Sequence, residues 1–298
     1  MLPGRAWKLE SIVRLLLSVF VCICAGSVLA NGLGTAKPWW PFRVVELAAL
    51  AFLAITLALL RKPWTLETLT LRLAMVLFCF YAGLMLSVWA EKLSGAEARH
   101  VPSAGQMLVG MLSFQGAIVV LSGYFLREQG TTWREAFGLD HRWQMAVLWG
   151  ILAACIFLPI GVRIQDICVK LLKLWSQSPF KPEEQLPVQT LKLTAQLSKR
   201  LILGIATVIL APVAEETLFR GILYPAIKHA GYPRIALWLT SFAFAGMHAN
   251  AAAFLPLLVL SLLLTVLYEK TGNLVAPIVA HALFNGVELV YLFKQVSS

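Results

Sequence analysis

Between Ile235 and Leu267 the chain carries no acidic or basic residue other than His248. As one helix rising 1.5 Å per residue this stretch would run about 48 Å, against a bilayer hydrocarbon core of about 30 Å. It is too long for one crossing, and a turn at His248-Ala249-Asn250 divides it. Other runs of this kind occupy residues 13–30, 44–60, 73–90, 107–126, 143–162, 201–227 and 274–293, which with 235–248 and 251–267 make nine. Backbone groups within lipid must be satisfied inside the segment, and the runs lack the strict alternation of barrel strands. The fold class is therefore all-α, a polytopic transmembrane helix bundle of eight or nine helices.

Composition fits lipid as the solvent: 59% of residues are hydrophobic, 13% are charged and the mean hydropathy is +0.77, against about a quarter charged in a soluble domain. The formal net charge of +10 does not indicate nucleic acid, because the basic residues flank apolar runs and form no stripe with interleaved aromatics. Trp39, Trp40, Trp64, Trp89, Trp143 and Trp175 lie near the ends of runs, at headgroup level. Cys22, Cys24, Cys79 and Cys155 fall within apolar segments and Cys168 in a loop; no CxxC pair is present, and they read as buried free thiols. Arg5, Lys8 and Arg14 before an apolar stretch ending in Val28-Leu29-Ala30 resemble a signal peptide, but the segment reads as a retained helix. Residues 164–175 have amphipathic spacing and read as a helix lying in the interface, followed by a Pro-rich loop at 178–184. Residues 127–142 read as an ordinary surface connection. Lys and Arg are nearly balanced across the two sides, so charge does not orient the chain.

The run 201–227 is interrupted by Glu215, Glu216 and Arg220. Three unpaired charges near a span centre would cost about 8–10 kcal/mol, so they must be paired, wet or useful. Glu216 and Arg220 are four apart with the acid N-terminal, the favoured order for a same-face pair. Glu215 is rotated by about 100° and points at another wall. Two further apolar helices carry Phe244-x-x-x-His248 and His281-x-x-x-Asn285, each pair sharing a helix face. A lone intramembrane His is commonly a packing residue. Two of them with an Asn and a Glu pair on neighbouring spans make a polar pocket inside lipid.

These motifs, Glu215-Glu216-x-x-x-Arg220, Phe244-x-x-x-His248 and His281-x-x-x-Asn285 in this order, resemble the CAAX protease and bacteriocin-processing family (CPBP, or Abi) of membrane-embedded proteases. The resemblance divides the chain into N-terminal transmembrane helices with an interfacial loop (1–196) and a protease domain (197–293). It implies an endopeptidase in which Glu215 activates a water, His248 helps to position and deprotonate it, and His281 with Asn285 stabilises the oxyanion. Glu216 and Arg220 support the site, and Phe244 fixes the His248 rotamer. Peptide hydrolysis needs a base and donors aimed at the developing oxyanion, and four inward polar side chains supply both. Catalysis without a cofactor is the expectation. Zinc stays open, because Glu215, His248 and His281 are acceptable ligands and family members have been described as metalloproteases.

The expected partners are a peptide or lipidated-protein substrate and membrane lipid, with no nucleic acid. The expected location is the plasma (inner) membrane, as a multi-pass protein. Two other classes compete: a non-catalytic scaffold or immunity-type binding protein using the same pocket, and an ion-coupled transporter, against which the chain shows no inverted repeat. Glu288, on the face of His281 and Asn285, reads either as a partner orienting the imidazole or as an interfacial residue.

Overall fold

The computed structural model describes residues 7–34, 51, 54–55, 101–174 and 186–297. The expected spans at 44–60 and 73–90 and the Pro-rich loop at 178–184 lie largely or wholly outside them. Among the described residues there are helices and no strand. In chain order the helices are α1 (Leu9–Gly34), α2 (Ala104–Glu128), α3 (Trp133–Phe137), α4 (Trp143–Leu174), α5 (Leu186–Leu193), α6 (Leu197–His229), α7 (Pro233–Met247), α8 (Ala251–Thr271) and α9 (Val275–Ser297). Five of them, α1, α2, α4, α6 and α8, are long and apolar enough to cross a membrane. With α9 as a shorter apolar helix, they form the helical bundle of an integral membrane protein.

The uncharged stretch breaks at the expected turn. The α7 helix ends at Met247, Ala249 takes a φ of 47°, and the Asn250 side chain accepts the Ala253 N–H at 2.9 Å to cap α8. Asn is among the best residues for that position, since its side-chain oxygen satisfies an amide the first helical turn leaves open. His248 is thereby held at the junction of two helices.

Two connections differ from the sequence reading. The segment at 164–174 is no separate interfacial helix: α4 is continuous over 32 residues, about 48 Å, through Pro159 and on to Leu174. Amphipathic spacing is the same for a new helix and for one that simply continues, so periodicity could not separate them. Cys168 accordingly lies on a helix and not in a loop, and Cys155 is exposed on α4 instead of buried. Nor is 127–142 an ordinary surface link. A capping box of Thr132 and Glu135 starts α3, and Phe137, fully buried, packs so closely on α6 that a Cβ at Gly221 would stand 2.6 Å from its ring. Buried Asn273 donates from Nδ2 to the carbonyls of Leu139 and His141 at 3.4 and 2.8 Å. That fixes the α8–α9 turn to this connection.

Small residues let α4 approach α9. Ala146, Gly150 and Ala154 recur every fourth position, buried, and at Gly150 the backbone lies directly against Ala276 and Val279 of α9. Spacing of this kind lets helix backbones come close where lipid offers no hydrophobic drive to association. The α1 helix is tied in by a buried Arg14, which bonds to Glu128 at the end of α2 and to Ser11. Arg14 is thus a buried partner and not a membrane-flank anchor.

Candidate active site

Glu215 and Glu216 stand in a six-residue α-helical stretch of α6 between two wider turns of π type, Ala206–Leu210 and Thr217–Leu223. Such turns recur at functional sites because they change the register of a helix locally. Both carboxylates are buried, Glu215 at 5% exposure and Glu216 at 0%. Each needs a compensating environment, since an isolated buried charge is far costlier than a paired one.

Glu216 has that environment. Its Oε1 accepts Arg220 Nη1 at 2.8 Å, and His281 Nδ1 lies 2.9 Å from the same oxygen. The guanidinium is satisfied on its other sides: Nη2 donates to the carbonyl and hydroxyl of Ser261 at 2.9 and 2.7 Å, and Nε to Thr265 Oγ1 at 3.4 Å. Its carbon lies 4.7 Å over the Phe244 ring. The clamp inferred from sequence thus holds a third member, His281, and rests on α8 through Ser261 and Thr265. Those two were missed. The signal was there, as two hydroxyl residues four apart on an otherwise apolar helix, but hydroxyls bonded to their own helix look the same in sequence.

The other oxygen of Glu216, Oε2, is buried without a donor, but Glu215 accepts no hydrogen bond at all from a described residue. Its Oε2 is buried, receives no hydrogen bond from any described residue, and lies 4.0 Å from Nε2 of His281. The carboxylate opens on a cavity of about 320 Å³, also lined by His248, Asn285, Gln115 and Glu288. Met107, Met111, Phe114 and Leu191 are among its apolar walls. His281, 2% exposed, does not line this cavity but stands behind Glu215.

His248 Nδ1 lies 2.8 Å from the Phe244 carbonyl. A carbonyl can only accept, so Nδ1 carries the proton and Nε2 is left as the ring's acceptor. The Phe244 ring, fully buried, touches both imidazoles, with centroids 5.1 Å from His248 and 5.6 Å from His281. Its reach is wider than the single rotamer contact expected. Asn285 donates from Nδ2 to the Thr207 carbonyl at 3.0 Å, which leaves one amide hydrogen uncommitted. Glu288 does not orient His281; Glu216 does that, and Glu288 faces the cavity.

The donors as placed do not fit a tetrahedral zinc ion. Two ligands at about 2.0–2.2 Å from one ion and 4.0 Å apart, as Glu215 and His281 are, would subtend about 130° or more at it, wider than the roughly 109° of a tetrahedron. His281 Nδ1 is meanwhile taken by Glu216. Among the described residues no three His, Cys, Asp or Glu side chains converge as a ligand set.

Fold and site together define an integral membrane protein with a cavity sunk into its helix bundle, where Glu215, His248 and Asn285 interrupt largely apolar walls. A family model described as type II CAAX prenyl endopeptidase Rce1-like matches residues 197–287. UPF0177 protein YaiF of Lactococcus lactis is 31% identical over 158 residues, 52% of this chain and 70% of that protein. YpbD of Bacillus subtilis is 37% identical over 83 residues, 26% of this chain and 40% of that protein. UPF0177 protein YxdF of Lactococcus lactis is 31% identical over 90 residues, 30% and 47% of the two chains. The chain therefore spans less than half the length of YpbD and YxdF. No solved structure matches. The chain belongs to the CPBP family, whose motifs its sequence resembles.

Proposed function

We propose that this protein is an intramembrane endopeptidase that hydrolyses a peptide bond in a membrane-associated peptide or lipidated protein. The observation that carries the reading is the contrast between the two adjacent acids: Glu216 is held through Oε1 by Arg220 and His281 and stands outside the cavity, while the neighbouring Glu215 accepts no hydrogen bond from a described residue and lines the cavity with His248 and Asn285. A buried acceptor without a donor is costly, and a water in the cavity would relieve that cost.

In the proposed reaction Glu215 takes a proton from this water, and His248 Nε2 accepts a hydrogen bond from it and steers its oxygen. The oxygen bonds to the scissile carbonyl carbon. Charge developing on the carbonyl oxygen meets the free amide hydrogen of Asn285. His281, behind Glu215 and outside the cavity, supports the reaction by holding Glu216 through Nδ1 and lying 4.0 Å from Glu215 through Nε2. As the C–N bond breaks, the leaving amine takes the proton held by Glu215. Donors fixed in a water-poor cavity stabilise such charge more than bulk solvent does. The cavity volume suits a short extended piece of chain, and its Met and Phe walls favour an apolar one. No step requires a metal, and the donors stand wider apart than a tetrahedral ion would hold them. We place the protein in the plasma membrane, in keeping with its bacterial relatives.

The test is purification in detergent, metal analysis, and cleavage of a peptide library that includes prenylated peptides, comparing the wild type with Glu215→Gln. Cleavage by the wild type, reduced at least a thousandfold in the variant, is expected. Equal activity of the two in the cell, with no cleavage by either, would favour a binding protein that recognises a peptide without cutting it.

A further inference from the structure

A second cavity, of about 800 Å³, lies between α4 and α8. Trp149, Leu152 and Ile156 of α4 and Leu263 and Val266 of α8 form its walls, over a floor that includes Ala146 and Ala153. One end is rimmed by His141, Arg142 and Lys270. At about 100° per residue, Leu263, Val266, Leu267 and Lys270 occupy the side of α8 opposite Leu257, Ser261 and Thr265, which serve the candidate active site. A molecule in this groove cannot reach Glu215.

We infer that the groove binds one membrane phospholipid with an anionic headgroup, the phosphate at the rim and an acyl chain along the walls. Three features select this occupant. First, the lining holds three basic or ionisable nitrogenous side chains and no acid. The acids next in sequence to the rim residues have partners elsewhere, Glu269 in Lys228 and Tyr224 and Asp140 in Arg134 at 3.8 Å. Basic pockets between helices at a membrane surface are where lipid headgroups are held.

Second, the groove has the length of one leaflet. From Ala146 to Ile156 the α4 wall rises about 15 Å, half of a hydrocarbon core of about 30 Å. Third, the rim lies at headgroup level: Trp143, 53% exposed, follows Arg142 directly, in the position an indole takes at the interface. The competing occupant is one of the chain's own apolar runs, at 44–60 or 73–90. Each of these runs has an acid at one end, Glu46 or Glu91, so the crosslinking arm of the test below separates that occupant from lipid.

The test uses the full chain purified in mild detergent and reconstituted in nanodiscs of phosphatidylcholine with a graded share of phosphatidylglycerol, with retained lipid counted by native mass spectrometry. The wild type should retain about one phosphatidylglycerol, at least tenfold in preference to phosphatidylcholine. Arg142→Gln with Lys270→Gln should abolish the preference, and Arg142→Lys with Lys270→Arg should keep it. Val266→Trp, which fills the groove from an exposed wall position and leaves the rim intact, should abolish retention. Unchanged retention in Val266→Trp would mean charge alone and overturn the proposal, as would equal retention of phosphatidylcholine or displacement of the lipid by millimolar inorganic phosphate. A photo-crosslinking residue at position 266 that captures the chain's own residues 44–60 or 73–90 instead of lipid would also overturn it.

Discussion

Glu216 and Arg220 form an ion pair one turn apart on α6, 2.8 Å from Oε1 to Nη1, and the same oxygen lies 2.9 Å from the imidazole of His281. The pair is fully buried, and through His281 it ties α6 to α9. The two adjacent acids have thus been given separate work by a rotation of one residue.

Removing Glu216 should be far more damaging to the fold than removing Glu215. Breaking a buried pair leaves an uncompensated charge and costs about 3–5 kcal/mol. Glu216→Ala is therefore expected to lower the melting temperature sharply or prevent recovery of folded protein. Glu216→Gln, which keeps one acceptor oxygen, should lose less. Glu215→Gln should melt near the wild type and lose cleavage, so stability and activity measured together separate the two roles.

Phe244 should matter to activity beyond its packing. Its ring meets two imidazoles and the guanidinium of Arg220, and a desolvated cation over an aromatic face is worth up to about 2 kcal/mol. Phe244→Met keeps much of the volume but removes the ring. The expected result is a fall in kcat of at least tenfold with KM within about threefold, in steady-state cleavage kinetics.

What could be read from sequence was what depends on hydrophobicity and on helical spacing. The bundle, the break at His248-Ala249-Asn250 and the Glu216–Arg220 clamp all follow from where charge is absent and from the i to i+4 interval. Spacing along one helix does not say what faces it from another. The seat of Arg220 on Ser261 and Thr265, the hold of Glu216 on His281 and the bond from Asn285 to Thr207 join residues 41 to 78 positions apart. Phe137 was missed for a related reason: a polar, Gly-containing connection resembles a solvated loop until the glycine facing it, Gly221, is known to admit its ring.

Gly150 should tolerate no side chain. A Cβ there would stand 2.6 Å from the Ala276 carbonyl oxygen and 2.9 Å from Val279 Cβ. Overpacking usually costs about 1–3 kcal/mol, and here backbone would have to yield. Gly150→Val is expected to part α4 from α9, lowering the melting temperature and, because His281 follows Val279 by two residues, cleavage with it. Gly105, where an added Cβ would meet nothing within 4 Å, supplies the control: Gly105→Ala should be neutral or gain a few tenths of a kcal/mol to about 1 kcal/mol through helix propensity.

The bond from Asn285 to Thr207 has a cause in the helix it reaches. In the π-type turn of α6 the Ala211 N–H bonds to the Ala206 carbonyl, five residues back. The next donor in that register would be residue 212, facing the Thr207 carbonyl, but Pro212 has no N–H to give. Asn285 Nδ2 supplies it from α9. Within a membrane span an unpaired carbonyl is expensive, so Asn285→Ala should cost about 1–3 kcal/mol in a thermal or denaturant unfolding measurement. Pro212→Ala restores a donor within α6, and against that background Asn285→Ala should cost at least about 1 kcal/mol less. Absence of coupling in this double-mutant cycle would mean that the carbonyl finds another donor. Cleavage reports on the second amide hydrogen: if it serves the oxyanion, Asn285→Ala stays inactive in both backgrounds, whereas recovery of activity with Pro212→Ala would reduce Asn285 to a structural brace.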